Sequence, residues 1–186
     1  YSGAMPQILK RSGLDYFLTQ KISWNQFTTF PHHTFQWEGI DGTRVLAHFP
    51  PENNYNSSVL PQRMRYTEQN YRQKDRSPVA AVLYGFGDGG GGPTADMLER
   101  IRRSANLEGM PKLTPMTPSE FFRRLEAESE DLPVWVGELY LELHRGTLTT
   151  QAANKRHNRQ CELRLREAEW LGCLAGFEGA DYPAET

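Results

Sequence analysis

Residues 79–94 read VAAVLYGFGDGGGGPT. The run 79–85, VAAVLYG, is apolar without alternation, as expected of a parallel strand covered on both faces. Four consecutive glycines follow at 89–92, with one carboxylate, Asp88, inside the turn. Thr94 is then placed to cap a helix, ADMLERIRRSANLE, ended by Gly109. Strand, glycine-rich turn and helix in that order make one βα unit.

The neighbouring segments extend the pattern. Upstream, 6–12 reads as a short helix stopped by Gly13, and LDYFLTQ (14–20) as a buried strand. Residues 32–38 and 43–49 form a hairpin through GIDG. A polar loop, PPENNYNSSVLP (50–61), leads to a weakly apolar helix over 61–73. Downstream, KLTPMT is a candidate short strand and SEFFRRLEAES a second helix with Ser119 as its cap. Strands alternating with helices argue for a parallel α/β sheet or barrel. After residue 130 the character changes. PVWVGELYLELHRG (133–146) is strand-like, and from about Thr149 a long helix runs toward Gly176. In that helix Ala153, His157, Cys161, Leu165, Ala168 and Leu171 recur at three and four residues as one apolar stripe. The boundary near 130–148 separates a first domain, 1–130, from a second, 131–186.

Composition narrows the class. The chain has 186 residues, 38% apolar and 24% charged, with a net charge of −2. That charge, with Lys and Arg dispersed, gives no electrostatic case for nucleic acid. No apolar run approaches the roughly 18 residues that span a bilayer. Cys161 and Cys173, on one helix, are separated by roughly 18 Å, too far for a disulfide, and a reducing cytoplasm is the natural setting. Trp24, Trp37, Trp135 and Trp170 suit a flat-faced ligand such as carbohydrate, and suit an ordinary core equally well.

Two readings compete for the glycine turn. Gly85, Gly87 and Gly90 fit G-x-G-x-x-G, and a helix N-terminus follows, as a nucleotide pyrophosphate requires. Pro93, however, leaves the third glycine in the loop, and no acid stands at a strand end about 20 residues on. The other reading makes Asp88 the point of the loop, with glycines clearing side chains so that a substrate can approach. His144 is the second candidate. It shares strand parity with Glu138, Tyr140 and Glu142, away from Leu139, Leu141 and Leu143, so it faces a polar space. An imidazole there could bind metal or move a proton, and a metal site would need two or three further ligands.

Four stretches then carry a resemblance: SGAMPQILKRSGLDYFLTQKISWNQF, FPHHTFQWEGIDGTRVLAHFPPENNYNS, LYGFGDGGGGPT and GELYLELHRGTLTTQAANKRHNR. In order and over 1–159, the chain resembles the family 38 glycoside hydrolases, the retaining α-mannosidases, and their bacterial and cytosolic or vacuolar branch most. The resemblance implies the C-terminal part of a seven-stranded parallel β/α catalytic domain, followed by the first helix of a three-helix middle domain. It implies zinc, with His144 of the HRGT match as one ligand and the others upstream, and a nucleophilic Asp just before Tyr1. Asp88 is then the acid/base. Trp24, His48, Tyr55 and Asn56 lie in matching segments and are candidates to line the sugar site. Arg145 replaces the Asp that contacts the sugar in Golgi and lysosomal types, so that contact must differ. The expected partner is an α-mannoside or mannose-containing oligosaccharide, with no nucleic acid, no membrane, and homo-oligomerisation of the full-length enzyme left open. The isolated 186 residues are expected to be inactive. The alternatives are a nucleotide-binding α/β protein using the Gly85–Gly90 loop and a non-catalytic remnant.

Overall fold

The computed structural model describes residues 1–146 and 150–182. Two compact units divide between Leu143 and His144, and each is described by itself.

The first unit is mixed α/β. Helix α1 (Met5–Arg11) begins with Pro6 in its first turn and stops at Gly13, whose φ of +77° suits a residue without Cβ. Strand β1 (Tyr16–Leu18) leads through a 3₁₀ turn (Lys21–Trp24) to β2 (Thr34–Glu38) and β3 (Arg44–His48). Helices α2 (Pro61–Asn70), α3 (Ala95–Ser104) and α4 (Pro118–Glu128) precede a short strand, β4 (Val134–Val136). The sheet order is β1-β3-β2-β4. The β2–β3 pair is the expected antiparallel hairpin, while β1 joins β3 and β4 joins β2 in parallel.

Strand alternation sorts the core. Phe35 and Trp37 of β2, with Val45 and Ala47 of β3, bury one face with Ile22, Phe49 and Leu139. The opposite parity sends Leu46 to Phe121, Phe122 and Leu125 of α4, with Tyr16 and Leu18 beside them. A third cluster, Val59, Met64, Met97 and Ile101, joins α2 to α3. Burial of each such side chain contributes about 2 kcal/mol.

Several expectations need correction. The run 79–85 is extended but belongs to no sheet ladder among the described residues. It makes a single parallel bridge, Ser57 to Tyr84, and is mostly half-buried. Val79 and Ala81 pack with α4, Val82 and Tyr84 pack with the cluster of α2 and α3, and the segment also lines a cleft of about 790 Å³ with Leu18, Met64, Ile101 and Met116. Its apolar residues therefore serve two clusters rather than two sheet faces. KLTPMT is not a strand. Helix α4 is capped by Thr117, not Ser119: Pro118 takes the first helical position, and Thr117 and Glu120 form a reciprocal capping box. Strand β4 ends at Gly137, whose φ is +95°, so the parity expected through 138–144 breaks. Glu142, expected in a polar space beside His144, is buried in the first unit.

The second unit holds α5 (Ala152–Phe177). The expected start at Thr149 lies outside the described residues. Gly179, at φ +90°, follows its last turn, and Tyr182 folds back onto Gly172. The apolar stripe is not buried: Leu165 and Leu171 are exposed. Three- and four-residue spacing marks a face suited to a second helix, and this unit contains none among the described residues.

Candidate functional site

The loop after 79–85 is closed at its base by the Phe86 amide donating to the Gly92 carbonyl, 3.0 Å. Asp88 stands near its apex, exposed, with φ of +59°. Asp is among the few side chains that tolerate this left-handed conformation. The glycines divide by role. A Cβ on Gly85 would meet Pro93 N at 2.8 Å, and one on Gly91 would meet the Phe86 carbonyl at 2.6 Å, so these two permit the tight closure. Gly89, Gly90 and Gly92 would meet nothing within 4 Å. They leave open space beside the carboxylate. The same fact weighs against the nucleotide fingerprint, whose third glycine serves close packing of helix on strand.

Loop 50–57 supplies the partners of this turn. Tyr55 Oη donates to Asp88 Oδ2 at 2.6 Å, and Asn56 Oδ1 accepts from the Gly87 amide at 2.6 Å. The bond to Asp88 raises the Tyr55 pKa, since deprotonation would set two anions together. With Oδ2 engaged by Tyr55, Oδ1 is the oxygen left to face an incoming group. The 3₁₀ turn adds Trp24 and Lys21. The Lys21 ammonium lies 3.7 Å from the Trp24 ring centroid and 4.7 Å from that of Tyr55.

Helix α2 holds loop 50–57 in place. Arg63 donates from Nε to Glu52 Oε1 at 3.0 Å and from its terminal nitrogen to the Glu52 carbonyl at 2.9 Å. Asn70 donates to the Pro51 carbonyl at 2.6 Å. Glu52 is almost wholly buried, and its Oε2 has no hydrogen-bond partner. The segment 79–85 is fixed from both neighbours: Ser57 donates to the Leu83 carbonyl, Gly85 donates to the Ser57 carbonyl, and the Ala81 amide donates to His48 Nε2.

Trp24, Tyr55, Asn56 and Asp88 therefore come together. His48 does not join them. It is fully buried beside Phe121, with Nδ1 on Thr34 Oγ1 at 2.9 Å and Nε2 accepting from Ala81 at 3.0 Å. Burial pushes its pKa down to about 3, with His33 adding to the shift. The ring is a neutral tie between β3 and the strand-like segment, not a sugar contact. His144, at φ +55°, and Arg145 are exposed and open the second unit. No group of three or more His, Cys, Asp or Glu able to hold a metal occurs among the described residues. These residues do not fit a zinc ion by themselves.

The contacts of two residues escaped the sequence reading. Lys21 had a usable signal: three residues before Trp24 in a 3₁₀ turn, where side chains at that spacing eclipse. Glu142 had none. Its carboxylate accepts from the Phe27 and Thr28 amides at 2.7 and 2.9 Å and from Thr28 Oγ1 at 2.6 Å, all distant in sequence.

Comparison with known proteins places this geometry in context. Residues 1–138 match the model of the glycosyl hydrolases family 38 N-terminal domain, and residues 142–186 that of the alpha mannosidase middle domain. The chain is 50% identical over 186 residues to human alpha-mannosidase 2C1, covering 99% of this chain and 18% of that protein. It is 48% identical to alpha-mannosidase G of Dictyostelium discoideum, covering 98% and 17%, and 44% identical to the alpha-mannosidase of Saccharomyces cerevisiae, covering 92% and 17%. It thus spans less than a fifth of the length of these curated relatives. The crystal structure of an alpha-mannosidase from Enterococcus faecalis superposes with a TM-score of 0.48 at 19% identity, over 75% of this chain and 16% of that one.

Proposed function

The chain belongs to the glycosyl hydrolases of family 38, and on that premise we propose that it is a section of a retaining α-mannosidase in which Asp88 is the acid/base. The observation that supports this most is the 2.6 Å bond from Tyr55 to Asp88 Oδ2, made beside glycines that leave the carboxylate's surroundings open. The substrate class is a terminal α-mannoside, as the names of its relatives suggest.

Retaining glycosidases use two carboxyl groups about 5 Å apart, one attacking the anomeric carbon and the other serving the leaving oxygen. In this chain Asp88 supplies the second function. Tyr55 holds the carboxyl plane through Oδ2, so Oδ1 is the oxygen placed to pass a proton to the glycosidic oxygen as the bond breaks. In the second half-reaction Oδ1 takes a proton from water. Trp24 and Tyr55 offer flat faces on which a sugar's C–H surface can rest. The nucleophile belongs to residues outside this chain. His144 is read as one ligand of a zinc ion whose remaining ligands lie elsewhere in the enzyme, where bound zinc would orient sugar hydroxyls.

The test is leaving-group dependence in the full-length enzyme. Asp88→Asn should lower kcat/KM at least about 100-fold for an alkyl or umbelliferyl α-mannoside, whose departure needs protonation. For the 2,4-dinitrophenyl α-mannoside, which departs unprotonated, the loss should be far smaller. Equal losses on both substrates, or none on either, would contradict the assignment.

A further inference from the structure

We propose that Lys21 is a positioning residue for the acid/base carboxyl, acting through Tyr55. This rests on the reading of Asp88 given above. Three segments far apart in sequence meet here: the 3₁₀ turn (Lys21–Trp24), loop 50–57, and the glycine turn. Asn56 and Tyr55 join the second to the third by hydrogen bonds. Lys21 joins the first to the second, with its ammonium 3.7 Å from the Trp24 centroid and 4.7 Å from that of Tyr55.

The chemistry of the contact sets its purpose. An exposed lysine normally keeps its strongly hydrated head in water. Here the side chain is half-buried and the ammonium has no carboxylate partner among the described residues. What it gains is two ring faces at once, each attracting the cation through the aromatic quadrupole. The 3₁₀ geometry eclipses residues three apart, so the Trp24 contact is built into the turn. The Tyr55 contact then fixes a ring whose hydroxyl is the donor to Asp88. Without the cation, the ring is free to swing about its χ angles. The 2.6 Å bond to Oδ2 would lengthen or exchange, and Oδ1 would lose its aim at the glycosidic oxygen. A misplacement of about 1 Å at a reacting group is enough to cost rate.

The experiment uses the full-length enzyme and four variants: Lys21→Gln, Lys21→Arg, Tyr55→Phe, and the double variant Lys21→Gln with Tyr55→Phe. The readout is kcat/KM for umbelliferyl and 2,4-dinitrophenyl α-mannosides. Lys21→Gln should lose about tenfold on the umbelliferyl substrate, the scale of two cation–π contacts, and distinctly less on the dinitrophenyl one. Lys21→Arg, which stacks on rings and keeps the charge, should recover most of the loss. The double variant should be no worse than Tyr55→Phe alone, because both changes release the same hydroxyl. Equal losses on the two substrates, or additive losses in the double variant, would overturn the proposal and leave Lys21 as a fold clamp. Asp88→Asn, assayed alongside, separates the failures. If it shows leaving-group dependence and Lys21→Gln does not, the Lys21 role alone is wrong. If it shows none, the acid/base reading falls and the Lys21 role with it.

Discussion

Asp88 and His144 share an uncommon backbone state. Both have φ near +57°, at +59° and +55°, and neither is glycine. Holding a side chain there costs on the order of 1 kcal/mol, and Asn53, Val59, Asp131 and Gln151 adopt the same state. Asp88 stood out in the sequence as a candidate because the residues around it have no side chains, which leaves one carboxylate in the loop. Tyr55 and Asn56 were candidates only through resemblance, since an isolated Tyr-Asn in a polar loop has no signature of its own. For Lys21 the sequence signalled only the contact with Trp24, because the other ring it meets is 34 residues away. His48 could not be placed from sequence, because a histidine at a strand end looks the same whether it faces a ligand or a neighbouring amide. For His144 the expected outcome is specific. His144→Ala in the full-length enzyme should reduce bound zinc, measured by elemental analysis after dialysis against a chelator, while circular dichroism stays unchanged. Full zinc retention would remove His144 from the ligand set.

At the scale of elements, the site depends on how α2 grips loop 50–57. Glu52 is buried with Arg63 as its cationic partner at 3.0 Å. Removing one member of a buried pair leaves an uncompensated charge, which costs about 3 to 5 kcal/mol. Since Arg63 remains partly exposed, the lower end applies. Arg63→Ala should therefore destabilise the fold by about 3 kcal/mol, seen as a lower urea midpoint, and should raise KM as Tyr55 and Asn56 lose their support. An unchanged midpoint would show that the loop is held otherwise. The hairpin, α1, α3 and α4 could be recognised from pattern because their signals are local: alternation, caps and glycine stops. The segment 79–85 could not. Its apolar run states that both sides are covered, but not by what, and α-helical side chains cover one side as well as a strand would. The end of α4's cap was misplaced for a smaller reason: Thr117-Pro118 is a better start than Ser119, because proline fits the first helical turn.

For the molecule as a whole, two units and two matching family models meet near residue 140, and no helix among the described residues is long and apolar enough to cross a membrane. The first unit carries its own acid sensitivity. Burial lowers His33 to about 4, with Arg72 and His32 adding to it, and lowers His48 to about 3, from an ordinary 6.5. Because the folded values lie below the unfolded one, the unfolded chain binds more protons between those limits. Stability is thus complete above pH 6.5 and is lost progressively as pH falls toward 4 and then 3, by a few kcal/mol in all. Protonating His48 also removes the acceptor of the Ala81 amide. Hydrogen exchange at Ala81, corrected for intrinsic rate, should show less protection at pH 5 than at pH 7, and equal protection would contradict this. The catalytic claim needs the complete enzyme, because the proposed nucleophile and further zinc ligands are outside these residues. Its most direct measurement is chemical rescue of Asp88→Gly, a variant that keeps φ +59° without strain and opens room at the carboxylate's place. With the 2,4-dinitrophenyl α-mannoside, added azide should restore turnover by capturing the glycosyl-enzyme, and the product should be α-mannosyl azide, with configuration retained. Wild-type turnover without azide, or azide that neither accelerates the variant nor enters the product, would contradict Asp88 as the acid/base.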